Sequence, residues 1–182
     1  MRARGLPVER VGGPTPGIAT PVRLTGPLHG VTFRAPGRGS VFGVLDCRLV
    51  LALEELARVL ERHAVAAIQI DNTYRPRARL PGNRKRSQHS YGLAADIRVI
   101  ELADGRRLSV EQDWDGWLGG PACGPGSAPA APSDETVALR NIVCAVAASA
   151  IFHHLLTPNF NAAHRDHLHF DIKRGEKRWV VE

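Results

Sequence analysis

Apolar residues at Leu49, Leu53, Leu56 and Leu60 recur in steps of four, three and four, which keeps them on one face of an α-helix. Asp46, just ahead, can cap the first turn, so the pattern predicts a helix running from Asp46 to near His63. The β-branched run Val65-Ala66-Ala67-Ile68-Gln69-Ile70 then reads as a mostly buried strand closed by a turn at Asp71-Asn72. Ala94 to Glu101 is a second strand candidate, and Asp104-Gly105 predicts a tight hairpin into a return strand near Leu108-Ser109-Val110. Ser133 can cap a second helix, with Asp134 and Glu135 at its positive end. The apolar pattern carries that helix to about Leu156, free of charge from Ile142 to Phe152 and too short for a membrane span. His153 and His154 would then sit at its C-terminal end, where imidazoles favour the helix dipole, and Thr157-Pro158 would stop it.

Residues 1–40 are rich in Gly and Pro, so they are expected to form an irregular wrap with short strands around Val22–Leu24 and Val31–Phe33. His29 in this wrap has no ligand-spaced neighbour and reads as an exposed loop histidine. A second Gly/Pro/Ala stretch, 115–132, is too poor in regular signals to be an element; loops of that length are usually lids, binding loops or disordered. With 182 residues and 43% hydrophobic content, the chain is long enough for one core and too short for two. The expectation is a single α+β domain over 1–182, a small antiparallel β-sheet with about two main helices, acting as a monomer.

A net charge of +6 and a pI near 9.9 point to an anionic partner, whether nucleic acid, membrane surface or acidic cell-wall polymer. With five Phe, two Tyr and three Trp and no RNA-binding aromatic motif, the nucleic-acid class has little beyond charge behind it. Arg75, Arg77, Arg79, Arg84, Lys85 and Arg86 form a basic loop, which for most of these residues is a solvated face. No apolar segment of signal-peptide type follows Met1-Arg2-Ala3-Arg4. Cys47, Cys123 and Cys144 lack zinc-finger spacing; one bridge and one buried thiol are open to them. Cys144, inside an apolar helix, reads as a small buried hydrophobe, whereas export would favour pairing of Cys47 or Cys144 with Cys123.

The densest chemistry lies in His164-Arg165-Asp166-His167-Leu168-His169-Phe170-Asp171. If Leu168 and Phe170 face a core, strand alternation puts His167, His169 and Asp171 together on the other side. A catalytic zinc takes three protein ligands and keeps a fourth position for water, so this cluster needs a partner. Ser87-Gln88-His89-Ser90-Tyr91-Gly92-Leu93-Ala94-Ala95-Asp96 is the stretch that supplies one.

Ser-x-His-x-x-Gly-x-Ala-x-Asp followed much later by His-x-His resembles the zinc peptidases that group D-Ala-D-Ala carboxypeptidases and dipeptidases and L-Ala-D-Glu endopeptidases with the Hedgehog signalling domain. Within that group the chain looks most like the bacterial extensin-like C-terminal domain, through Pro21-Val22-Arg23-Leu24, Leu102–Arg107 with Trp114, and Pro158–His167. The likeness runs from about Pro21 to Phe170. It implies a zinc site on the sheet face with His89, Asp96 and His169 as ligands, and a peptidase acting on peptidoglycan stem peptides or crosslinks. Tyr74-Arg75-Pro76 resembles the dipeptidase motif whose arginine stabilises the oxyanion; extensin-like relatives often carry theirs two places later, which matches Arg77. Dipeptidase-like relatives place an acidic base where Asp166 stands, which works if Asp166 lies on the loop before the strand. Others carry His-x-x-His-x-His, matching His164, His167 and His169, so the base is Asp166 or, in second place, His167, with His164 as a supporting donor. Asp171 could orient a histidine ligand. The family implies a periplasmic or cell-wall location. Two rival classes remain: a zinc-containing cell-wall or protein binding module without turnover, as the Hedgehog likeness warns, and a basic nucleic-acid-binding protein.

Overall fold

The computed structural model describes residues 5–82, 84–173 and 175–182, so the first four residues of the expected wrap lie outside the described residues. The strands, in chain order, are β1 (Val8–Arg10), β2 (Pro21–Leu24), β3 (Thr32–Arg34), β4 (Leu45–Asp46), β5 (Val65–Asn72), β6 (Ala94–Leu102), β7 (Arg107–Ser109), β8 (His154–Leu156), β9 (Leu168–Asp171) and β10 (Val180–Val181). The helices are α1 (Cys47–Glu61), α2 (Val110–Asp113) and α3 (Asp134–Ala148). The main sheet has the order β10-β8-β9-β6-β5-β3 with β7 on β6, while β1, β2 and β4 make a separate three-stranded sheet.

The first helix forms as its pattern predicts. Asp46 accepts the Arg48 N–H at the cap, and Leu49, Leu53, Leu56 and Leu60 are all buried. Together with Ile142, Val143 and Val146 of α3, this face packs on Ile68, Ile97, Ile100 and Phe170, so both long helices cover one side of the sheet. Truncating a buried leucine such as Leu53 to Ala in such a core costs about 2–5 kcal/mol. Alternation along β9 sends Leu168 and Phe170 toward this core, and His169 the other way, beside Asp96 of β6.

Four sequence expectations need correction. The sheet is mixed, because β3 and β5 run parallel with α1 as their crossover, and β10 returns parallel to β8. In the wrap the expected strand around Val22–Leu24 forms as β2, but it pairs with two unexpected strands, β1 and β4, and β3 joins the main sheet one residue beyond the expected start. Val110 opens the short α2 rather than closing the return strand. The second long helix stops at Ala148, not Leu156. There Ser149 donates its hydroxyl to Val146 O and Ala150 turns left-handed at φ 51°, which lets Phe152 pack on Phe170 and puts His154 into β8. His153 and His154 therefore do not stand at a helix end.

The 115–132 loop is bound to α3. Buried Arg140 donates to Trp114 O, Ala122 O and Ser127 O and lies 4.6 Å over the Trp114 ring, while Asn159 Nδ2 donates to Gly120 O and Pro121 O. A Cys123–Cys144 disulfide fastens the same loop, so Cys144 is not a free buried thiol; Cys47 is the unpaired cysteine. Among the described residues no helix is long and apolar enough to cross a membrane.

Candidate metal centre

Ser87 caps the single turn 88–91 by accepting the His89 N–H at 3.3 Å, and Gly92 closes that turn in the left-handed conformation at φ 63°. A side chain at Gly92 would add a Cβ 2.9 Å from Asp46 N, so glycine is required by space as well as by backbone. The turn aims fully buried His89 back at Asp96, which β6 holds directly opposite His169 of β9.

Three donor atoms converge. His89 Nε2 lies 3.0 Å from Asp96 Oδ1 and 3.1 Å from His169 Nδ1, and His169 Nδ1 lies 2.9 Å from the same carboxylate oxygen. A tetrahedral ion with ligands at about 2.0–2.1 Å sets its donors about 3.3 Å apart, close to this triangle. Burial keeps the His89 pKa below its ordinary value, so its ring is uncharged, and His89 Nδ1 is a buried polar atom without a partner among the described residues. Burial works to raise the Asp96 pKa, but hydrogen bonds from His169 and His89 outweigh it and hold the carboxyl well below the usual range. These three residues could hold a metal ion, and the donor set, two imidazoles and a carboxylate on a water-poor site, fits one.

Outer groups fix each donor. Asn72 Nδ2 donates to Asp96 Oδ2 at 2.9 Å, which leaves Oδ1 for the histidines. His169 Nε2 faces Asp171 Oδ2 at 3.2 Å, and the other oxygen of Asp171 meets His154 Nδ1 at 2.8 Å. Asp171 thus fixes the His169 tautomer that turns Nδ1 toward the cluster. Without metal, burial lowers the His169 pKa but Asp171 and Asp96 outweigh it and lift the value to about 9.

The remaining candidates border one side of the triangle. Arg75, rather than Arg77, reaches it: an Arg75 guanidinium nitrogen is 3.8 Å from Asp96 Oδ2, whereas Arg77 is exposed on a left-handed turn at φ 61°. Asp166 lies in the turn just before β9, as a base on a loop requires, but its carboxylate is engaged by His167 Nδ1 at 2.8 Å and Arg98 at 2.9 Å. The hydrogen bond from His167, then Arg98, holds its pKa below the ordinary carboxylate value. His167 turns its other nitrogen inward, to 3.8 Å from Asp96 Oδ1. His164 stands with its ring centre 5.0 Å from that of His167, its Nδ1 on Asn161 Oδ1 at 2.8 Å, and burial pushes its pKa down to about 4. His29 is exposed and 3.7 Å from Glu54.

Sequence reasoning missed Asn72, read as a turn residue, Arg98, and His154, read as a helix-end charge. Each acts across strands, and no spacing in the chain signals such a contact.

The family model described as Extensin-like protein C-terminus matches residues 7–181, and the chain belongs to that family. No curated protein matches the chain.

Proposed function

Starting from membership of the extensin-like C-terminal family, we propose that the protein is a zinc-dependent peptidase that hydrolyses peptidoglycan stem peptides or crosslinks, related to the D-Ala-D-Ala and L-Ala-D-Glu peptidases. The observation that carries the reading is the three-donor triangle of His89, Asp96 and His169, bordered by a His167–Asp166 pair and by Arg75. Zinc bound there would polarise the scissile carbonyl and acidify the attacking water.

The chain's own residues supply the rest. His167 is the better placed base, ahead of Asp166: its inward nitrogen is free to take the water's proton, while Asp166 holds Nδ1–H and stabilises the imidazolium that forms. Asp166, drawn to Arg98, is a weaker acceptor than a free carboxylate. The same imidazolium then protonates the leaving amine. Arg75, half exposed, offers a guanidinium to the oxygen on which negative charge develops. His164 donates Nδ1–H to Asn161, so its other nitrogen is an acceptor for a substrate N–H, in place of the donor expected from sequence. The disulfide supports an oxidising, extracytoplasmic location.

The test is to incubate the protein with purified sacculi, with and without chelator, and weigh the released muropeptides by mass spectrometry. A product that disappears with chelator and returns with zinc supports the proposal and names the bond. Tight zinc with no product from any sacculus would leave a binding module.

A further inference from the structure

Six of the chain's 24 Lys and Arg lie between positions 75 and 86 and none of its 18 Asp and Glu does, so the other 18 cations balance 18 anions and the whole formal charge of +6 resides here. The two sides of this arm, 75–80 and 84–87, pair through Leu80 N to Lys85 O at 2.9 Å, Ser87 N to Ala78 O at 3.0 Å, and a bridge between Arg79 and Arg86. Arg77, Arg79, Arg84, Lys85 and Arg86 are all exposed, and among the described residues Arg77, Arg79, Arg84 and Arg86 pair with no carboxylate. Both feet of the arm stand on the metal centre. Arg75 N donates to His89 O at 3.0 Å, and Ser87 caps the turn that carries His89.

We infer that this arm is a docking site for a carboxylate-rich polymer and holds it across the open side of the His89, Asp96 and His169 cluster; the choice of a wall peptide as that polymer rests on the function proposed above. Five of the six cations are arginine, whose planar fork matches the two oxygens of a carboxylate. Nucleic acid fits less well. Its one flanking aromatic, Tyr74, is buried with its hydroxyl on Pro16 O, which leaves no surface for stacking the bases of a single strand, and a duplex is the competitor in the test. A polymer lying along the arm meets Arg75 last, and Arg75 is the cation beside Asp96.

The experiment reads binding alone, so its failure is separate from a failure to release muropeptides. Pelleting with purified sacculi stripped of attached phosphate polymers, and calorimetry with poly-L-glutamate and with a short DNA duplex, are compared for the wild type, an Arg77→Gln/Arg84→Gln/Arg86→Gln variant and the matching Arg→Lys variant. The expected result is salt-sensitive binding to sacculi and polyglutamate, weakened about tenfold by the three glutamines. The lysine variant keeps the charge but loses the bidentate fork, so its binding should fall between wild type and the glutamine variant, with zinc content and melting temperature unchanged in both. A glutamine variant that pellets like wild type overturns the inference. So does a wild type that binds the duplex more tightly than polyglutamate at the same salt.

Discussion

Loading the metal centre should expel one proton, and that proton should come from His169. In the metal-free protein Asp171 and Asp96 lift the His169 pKa from 6.5 to about 9, so near neutral pH the ring is an imidazolium held between two carboxylates. At about 1.4 kcal/mol per pH unit, that gap makes the proton on His169 worth about 3 kcal/mol to the metal-free fold. The sign follows from a raised pKa: the contribution is whole below pH 6.5 and is lost as pH climbs to about 9. A metal ion needs the unprotonated ring. His89 is already uncharged and Asp96 already ionised, so neither adds a proton to the exchange. Apparent zinc affinity should therefore rise about tenfold per pH unit, or about a hundredfold from pH 6 to pH 8. Zinc titration calorimetry in buffers of different ionisation enthalpy counts the protons directly. Release of none across that range, with pH-independent affinity, would refute the charge state assigned to His169.

Asp171→Asn keeps the shape beside His169 but removes the acceptor it shares with His154, so zinc affinity should drop about ten- to a hundredfold in a chelator competition, with the fold intact by circular dichroism. His167→Asn should lower muropeptide release by about a hundredfold or more with zinc still bound, and Asp166→Asn by less; the opposite order would make Asp166 the base. Cys144→Ser opens a bridge between residues 21 apart and should cost about 3 kcal/mol, seen as a melting temperature lower by roughly 6–12 °C; an unchanged melt would show the loop is held by Arg140 and Asn159 alone.

Periodicity determined α1 from its cap onward, because burying one face of a helix is a local demand that Leu49, Leu53, Leu56 and Leu60 satisfy without knowledge of the rest of the chain. The donors were legible through the resemblance that two short motifs carry: His89 and Asp96 lie on one turn and the strand that follows it, and His169 alternates with core residues on a strand. Those constraints operate over a few residues, which is why they are legible. The end of α3 was not, since the Ala-rich run after Ile142 carries no stop signal; the chain leaves the helix after Ala148, and Phe152 then packs on Phe170 of a strand distant in sequence. Nor was the parallel pairing of β3 with β5, or the choice of Cys144 as the partner of Cys123. Asn72 on Asp96, Arg98 on Asp166 and His154 on Asp171 were decided only by the lateral register of β5, β6, β8 and β9. Register follows from how the whole sheet fits its helices, so the residues that tune the donors became visible only when the strands lay side by side.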